Sequence, residues 1–178
     1  MANLDRGLLA RRIYDAAHLT GTFVLRSGVT SDEYFDKYLF AADPVLLADV
    51  ARGLEPLVAP GTDALAGLEL GGVPLATALS QRTGVPARFV RKRAKEYGTR
   101  RLAEGGEVAG LRLTVVEDVV TSGGQVIESV GALRQLGADV ARVVCVIDRE
   151  AGGFDNFAAA GIEAAALFRM SELRPERG

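Results

Sequence analysis

The sequence predicts an α/β fold in which a central, mostly parallel sheet is flanked by helices, and three observations carry that expectation. From Asp63 onward, short apolar runs alternate with longer amphipathic ones. The apolar runs are nearly uninterrupted, as in Val143-Val144-Cys145-Val146-Ile147, which suits strands covered on both faces. Glycine-rich or charged loops follow several of these runs, at the strand ends where open parallel sheets bind their ligands. The 178 residues form one domain, 1–178, and 48% of them are apolar, so a core can be buried without disulfide or metal staples.

Each element has a local reason. A first helix is expected from Leu4 to Leu19, because Leu8, Leu9, Ile13, Ala16 and Ala17 share one face, and Gly21 ends it. Two strand-like pieces, Thr22 to Arg26 and Glu33 to Tyr38, are joined through Ser27-Gly28 and the polar turn at Thr30-Ser31-Asp32. Asp43 then caps a helix to about Val58, with Pro44 at the first position, where its missing N–H is harmless. Strands follow at Ala64 to Leu68, Ala87 to Val90, Leu113 to Glu117 and Val140 to Ile147, with helices from Val73 to Arg82 and Gln125 to Leu136. A helix near Asn156 to Ala160 and a strand from Glu163 to Phe168 close the chain. No repeat, low-complexity tract or linker interrupts it.

Composition narrows the function. A net charge of −2 gives no general basic field, which argues against a nucleic-acid binder. No apolar run reaches the ~18 residues that span a bilayer, and the N-terminus lacks a basic stretch followed by an apolar one, so a cytoplasmic protein with no membrane partner is expected. Cys145, the single cysteine, lies in an apolar run and reads as a buried structural thiol. His18, the single histidine, reads as an ordinary residue at a helix end.

The most specific segment runs from Leu113 to Gln125: a strand, two adjacent acids, a small-residue loop and the start of a helix. Thr121, Ser122, Gly123 and Gly124 have little side-chain bulk, so their N–H groups can close around a phosphate at the positive end of the helix. Glu117 and Asp118 would lie beside that phosphate, able to accept hydrogen bonds from vicinal hydroxyls or to help hold hydrated Mg²⁺. An ordinary strand-to-helix turn explains the glycines equally well, but not two repelling carboxylates before them. Neither a G-x-x-x-x-G-K-[ST] nor a G-x-G-x-x-G occurs, so a sugar phosphate such as ribose 5-phosphate fits better than a nucleoside triphosphate or a dinucleotide. The run Arg91 to Arg101 holds six cations in eleven residues, which suits either a solvated surface or a lid over a diphosphate. Gly67 to Leu75 is either a simple turn or a ligand loop in which Gly71 and Gly72 permit close backbone approach.

The stretch Val115 to Gly124 resembles the phosphoribosyl diphosphate (PRPP) signature of the type I phosphoribosyltransferases. Four further segments resemble its orotate phosphoribosyltransferase branch: Phe23 to Gly28 with Tyr34 to Lys37, Gly67 to Leu75, Val90 to Gly98, and Ile147 to Glu150. The resemblance implies a type I phosphoribosyltransferase fold with a flexible catalytic loop and a small hood built from residues 1–40 and the C-terminal end. Residues 63–150 would form the PRPP-binding core. It implies transfer of phosphoribose from PRPP to orotate, Mg²⁺ as cofactor bound through PRPP with Glu117 and Asp118 nearby, and a homodimer whose loop 91–106 reaches the neighbouring site.

The same resemblance implies PRPP contacts from Arg91, Lys92, Lys95, Tyr97, Gly71, Gly72, Glu117, Asp118, Val119, Val120, Thr121, Ser122, Gly123, Gly124 and Gln125. Lys92, Lys95 and Asp118 would be catalytic, with Arg91 and Lys95 supplied to the partner subunit. Arg26, Lys37, Thr121 and Arg149 would bind orotate, Arg149 as the guanidinium on its carboxylate. Two departures stand out. Tyr97 occupies a place where some members carry histidine, and Gly71 one where some carry lysine. Phe23 and Phe35 suit either a base pocket or the core. A phosphoribosyltransferase for a purine or another base, and a PRPP-sensing regulator, remain as alternatives. Length argues against fusion with a following decarboxylase.

Overall fold

The computed structural model describes residues 4–24, 28–93 and 101–173. Helix α1 (Arg6–Ala17) opens at Asp5, whose Oδ1 accepts from Leu8 N at 2.9 Å, and buries Leu9, Ala10, Ile13 and Ala17. It stops two residues sooner than its periodicity suggests. His18 begins strand β1 (His18–Val24), which pairs antiparallel with β2 (Thr30–Phe35), and Gly21 lies inside that strand near an irregularity between Thr20 and Phe23.

Lys37 does not lie on the second strand. Asp36 Oδ1 accepts from Tyr38 N at 3.0 Å and starts a short helix, α2 (Lys37–Ala42), so Lys37 is the first helical residue. Helix α3 (Pro44–Leu54) follows with Asp43 as its cap, as expected, and Asp43 Oδ1 accepts from Leu46 N at 2.7 Å. It ends at Leu54, short of Val58, because Pro56 tightens the chain into a 3₁₀ turn over Glu55–Leu57.

The remaining elements are β3 (Ala64–Leu68), α4 (Gly72–Thr83), β4 (Ala87–Val90), β5 (Ala103–Glu104), β6 (Arg112–Val120), α5 (Gly124–Gln135), β7 (Asp139–Asp148), α6 (Gly153–Ala159), β8 (Ala164–Arg169) and α7 (Met170–Leu173). Two of them were not foreseen. β5 has two residues and α7 four, too few for either period to register. β6 is also longer than its apolar run, so Glu117 and Asp118 lie within the strand rather than at its end.

The six-stranded sheet has the order β5-β4-β3-β6-β7-β8, parallel except for β5. From β3 the chain moves outward to β4, then returns to place β6 on the other side of β3 and continues to β7 and β8. The reversal leaves a crevice between the carboxyl ends of β3 and β6, where such sheets bind ligands. β6 and β7 carry one irregularity: Leu113 pairs with Val140 but Thr114 with Arg142, so Ala141 is an extra residue in β7.

One core cluster joins the sheet to α1, α2, α3, α4 and α7, through Ile13, Phe40, Val50, Leu54, Leu75, Leu79, Val116, Val144 and Phe168. The other lies under α5 and α6, through Ala66, Val115, Val130, Leu133, Val143, Cys145 and Phe157. Neighbours such as Val115 and Val116 thus serve opposite layers, which explains the unbroken apolar runs. Each fully buried Leu or Phe contributes roughly 1.5–3 kcal/mol relative to exposure.

Candidate active site

The crevice between β3 and β6 holds a cavity of about 400 Å³. Its walls are Lys37 and Tyr38 from α2, Glu69 and Leu70 after β3, Lys92 after β4, Glu117 on β6, and the loop Val119 to Val126. Of the loops expected on one rim, those after β3, β4 and β6 converge there, whereas none of residues 148–153 after β7 lines the cavity.

The loop after β6 has the geometry to hold an anion. Gly123 occupies the N-cap position of α5 at φ +76°, and no side chain caps the helix. The helix therefore presents its first N–H groups and positive dipole end to the cavity. The two glycines serve different ends. A methyl at Gly123 would lie 2.7 Å from Phe157 Cε1, so packing against α6 excludes a side chain, whereas nothing lies within 4 Å of one at Gly124. Asn156 Nδ2 donates to Ser122 O at 2.9 Å, and Gly153 packs directly on Thr121 O, so α6 braces the loop.

The acid pair lies deeper. Asp118 is buried, and its Oδ1 accepts from Lys37 Nζ at 2.9 Å and from Val119 N at 2.6 Å. Its Oδ2 is buried with no hydrogen-bond partner. Glu117 Oε1 accepts from Asp118 N at 2.8 Å. Burial, reinforced by the Asp118 carboxylate, raises the Glu117 pKa well above the usual carboxylate range. Burial opposes the Lys37 ammonium, but the charge and hydrogen bond of Asp118 outweigh it and raise its pKa. Among the described residues no three His, Cys, Asp or Glu side chains gather as metal ligands. Two neighbouring carboxylates, one with an unpartnered oxygen, suit a divalent cation only if a ligand supplies most of its oxygens.

Gly71 and Gly72 are glycines for an internal reason. A methyl on Gly71 would overlap the Asp118 carboxylate, and one on Gly72 would overlap Val116 O. A methyl on Gly67 would come within 2.5 Å of Gly72 O. The loop after β3 thus lies flat on β6, and its close approach is to the protein's own strand. Glu69 Oε1 accepts from Lys92 N at 2.5 Å, which ties that loop to the start of the cationic segment. Arg91 points elsewhere: its Nε donates to Glu104 Oε1 at 3.3 Å, and it does not line the cavity.

Arg149 follows β7, exposed and outside the cavity wall, with its N–H on Val120 O at 2.8 Å. Val119, Val120, Thr121, Ser122 and Gln125 all line the cavity. Arg26, Lys95 and Tyr97 lie outside the described residues. Sequence reasoning missed Tyr38, Glu69 and Leu70. A single carboxylate between a buried strand and two glycines was the available signal for Glu69.

Known proteins share this fold. The model of the phosphoribosyl transferase domain matches residues 47–158. An orotate phosphoribosyltransferase from Nocardioides sp. is 54% identical over 169 residues, covering 95% of this chain and 94% of the relative. The Mycobacterium tuberculosis orotate phosphoribosyltransferase in complex with Fe(III) dicitrate superposes with a TM-score of 0.87 at 33% identity, over 96% of this chain and 99% of that one. Its complex with 5-phospho-α-D-ribosyl 1-diphosphate gives 0.81 at 30% identity, over 95% and 98%.

Proposed function

The chain belongs to the phosphoribosyltransferase family, and within it we infer an orotate phosphoribosyltransferase. It transfers phosphoribose from PRPP to orotate, giving orotidine 5′-monophosphate and diphosphate, a step of pyrimidine biosynthesis. The observation that carries this reading is the uncapped α5 N-terminus beside the half-buried Glu117 and the buried Asp118 in the crevice.

The 5′-phosphate sits on the N–H groups of Ser122 to Gln125, with Gly124 leaving the room. Glu117 and Asp118 accept from the ribose hydroxyls, and Asp118 Oδ2 is the acceptor still without a donor. Lys92 faces the diphosphate across the cavity, over the flat loop at Gly71 and Gly72. Arg91, turned away from its own cavity, joins Lys95 and Tyr97 in serving the site of the partner subunit in a homodimer. Mg²⁺, bound mainly through PRPP, would neutralise the leaving diphosphate.

The orotate anion needs no strong base. Arg149 and Arg26 recognise its carboxylate, with Thr121 and Lys37 between base and ribose. As the anomeric carbon gains oxocarbenium character, Lys92 and the partner's Lys95 stabilise the departing charge, and the cationic segment excludes water. No described helix is long and apolar enough to cross a membrane. A cytoplasmic setting is part of the same proposal.

The test is an ultraviolet assay with PRPP, Mg²⁺ and orotate, run beside uracil, hypoxanthine and adenine. Turnover of orotate alone is expected. Turnover of another base would overturn the base assignment, and PRPP binding without turnover would favour a regulator.

A further inference from the structure

Arg149 carries base recognition in the reading above, yet its side chain is exposed and has no ion pair among the described residues. A long, free arginine samples many rotamers, so a planar carboxylate is recognised well only if the backbone beneath the guanidinium is fixed. The next residue supplies that fixation. Glu150 has φ +56°, alone among the described non-glycine residues in being positive, a region where Cβ crowds the backbone.

Hydrogen bonds on both sides hold it there. Glu150 N donates to Oδ1 of the buried Asp148 at 2.9 Å. Its carboxylate accepts from Ser171 N at 2.9 Å and from Ser171 Oγ at 3.0 Å, one bond to each oxygen. Ser171 belongs to α7, which the buried Met170 and Leu173 anchor in the core. The turn is thus fastened to the last helix, and through Arg149 N to Val120 at the end of β6. The Ser171 bonds have a second effect. A carboxylate beside an unpaired arginine is its natural ion-pair partner, but the bonds from Ser171 to both oxygens hold the Glu150 carboxylate on α7, and Arg149 makes no ion pair with it.

We propose that Asp148, Glu150 and Ser171 form a clasp that positions Arg149, so that Glu150 tunes orotate binding without touching the base. The proposal rests on the orotate reading of this site. Its test is steady-state kinetics on E150A, E150Q, S171A, R149A and the double variant R149A/E150A, with orotate and PRPP varied separately. E150A raises the KM for orotate by about tenfold and leaves the KM for PRPP at its wild-type value, the size expected for losing a charged hydrogen-bond pair. S171A, which keeps the backbone bond, gives a smaller rise, and E150Q, which keeps one acceptor oxygen, recovers part of the loss. In the R149A background, E150A adds nothing. Equal rises for both substrates, or an undiminished effect of E150A without Arg149, would overturn the clasp. Wild-type use of orotate with unchanged KM in E150A and S171A overturns the clasp alone, whereas wild-type turnover of another base overturns the reading beneath it.

Discussion

At the scale of single residues, Glu117 shows a conflict between stability and function. Burial disfavours its charged form, so its folded pKa lies above the unfolded one. Linkage then gives the sign: stability is full below the unfolded pKa and is lost as pH rises through the raised folded value. Glu117→Gln, neutral at every pH, is therefore expected to raise Tm at about pH 8 and to match wild type near about pH 4, below the usual glutamate value. PRPP binding should weaken in the same variant, because an amide is a poorer acceptor for ribose hydroxyls. Scanning calorimetry at the two pH values, with PRPP titrations, checks both halves. A Tm gain independent of pH would refute the linkage. Cys145 shows the opposite economy: burial, then the nearby acids, pushes its thiol up and out of reactive range, as its apolar run suggested.

Among elements, the loop after β3 shows what was legible in the sequence and what was not. Strands β3 and β4 and the glycine-rich loops could be read directly, because apolar runs and small residues are local signals. The reason for Gly71 could not, since Asp118 lies 47 positions away and only β3–β6 pairing brings it underneath. Lys37 was misplaced on a strand for a similar reason: the Asp36 cap outweighs the preceding alternation, and the turn it starts brings the ammonium onto Asp118. Gly71→Ala is thus expected to displace Asp118, part it from Lys37 and cut kcat/KM for PRPP by about a hundredfold, whereas Gly124→Ala, with open space around it, costs far less. Kinetics on both variants decide the point, and equal losses would return Gly71 to the role of ligand contact.

Over the whole molecule, the sheet order puts the loops proposed for phosphate, ribose and diphosphate on one rim, while Arg91 faces away from its own cavity. If two subunits exchange their cationic segments, Lys95→Ala and Asp118→Asn should each be nearly inactive alone. Co-assembled in equal amounts, they should recover about a quarter of wild-type activity, because half the dimers are hybrids with one intact site. No recovery would assign Lys95 to its own subunit. The extra residue Ala141 in β7 gives the sheet a further part. It lies at the amino end of the β6–β7 pair, yet it sets the register that matches Val120 with Asp148 at the other end. The phosphate loop springs from one of these residues and the Arg149 turn from the other, on strands about 4.8 Å apart. The sheet is therefore a ruler, and the span it marks between the loop proposed for phosphate and the turn proposed for the base is fixed by strand pairing before any substrate arrives.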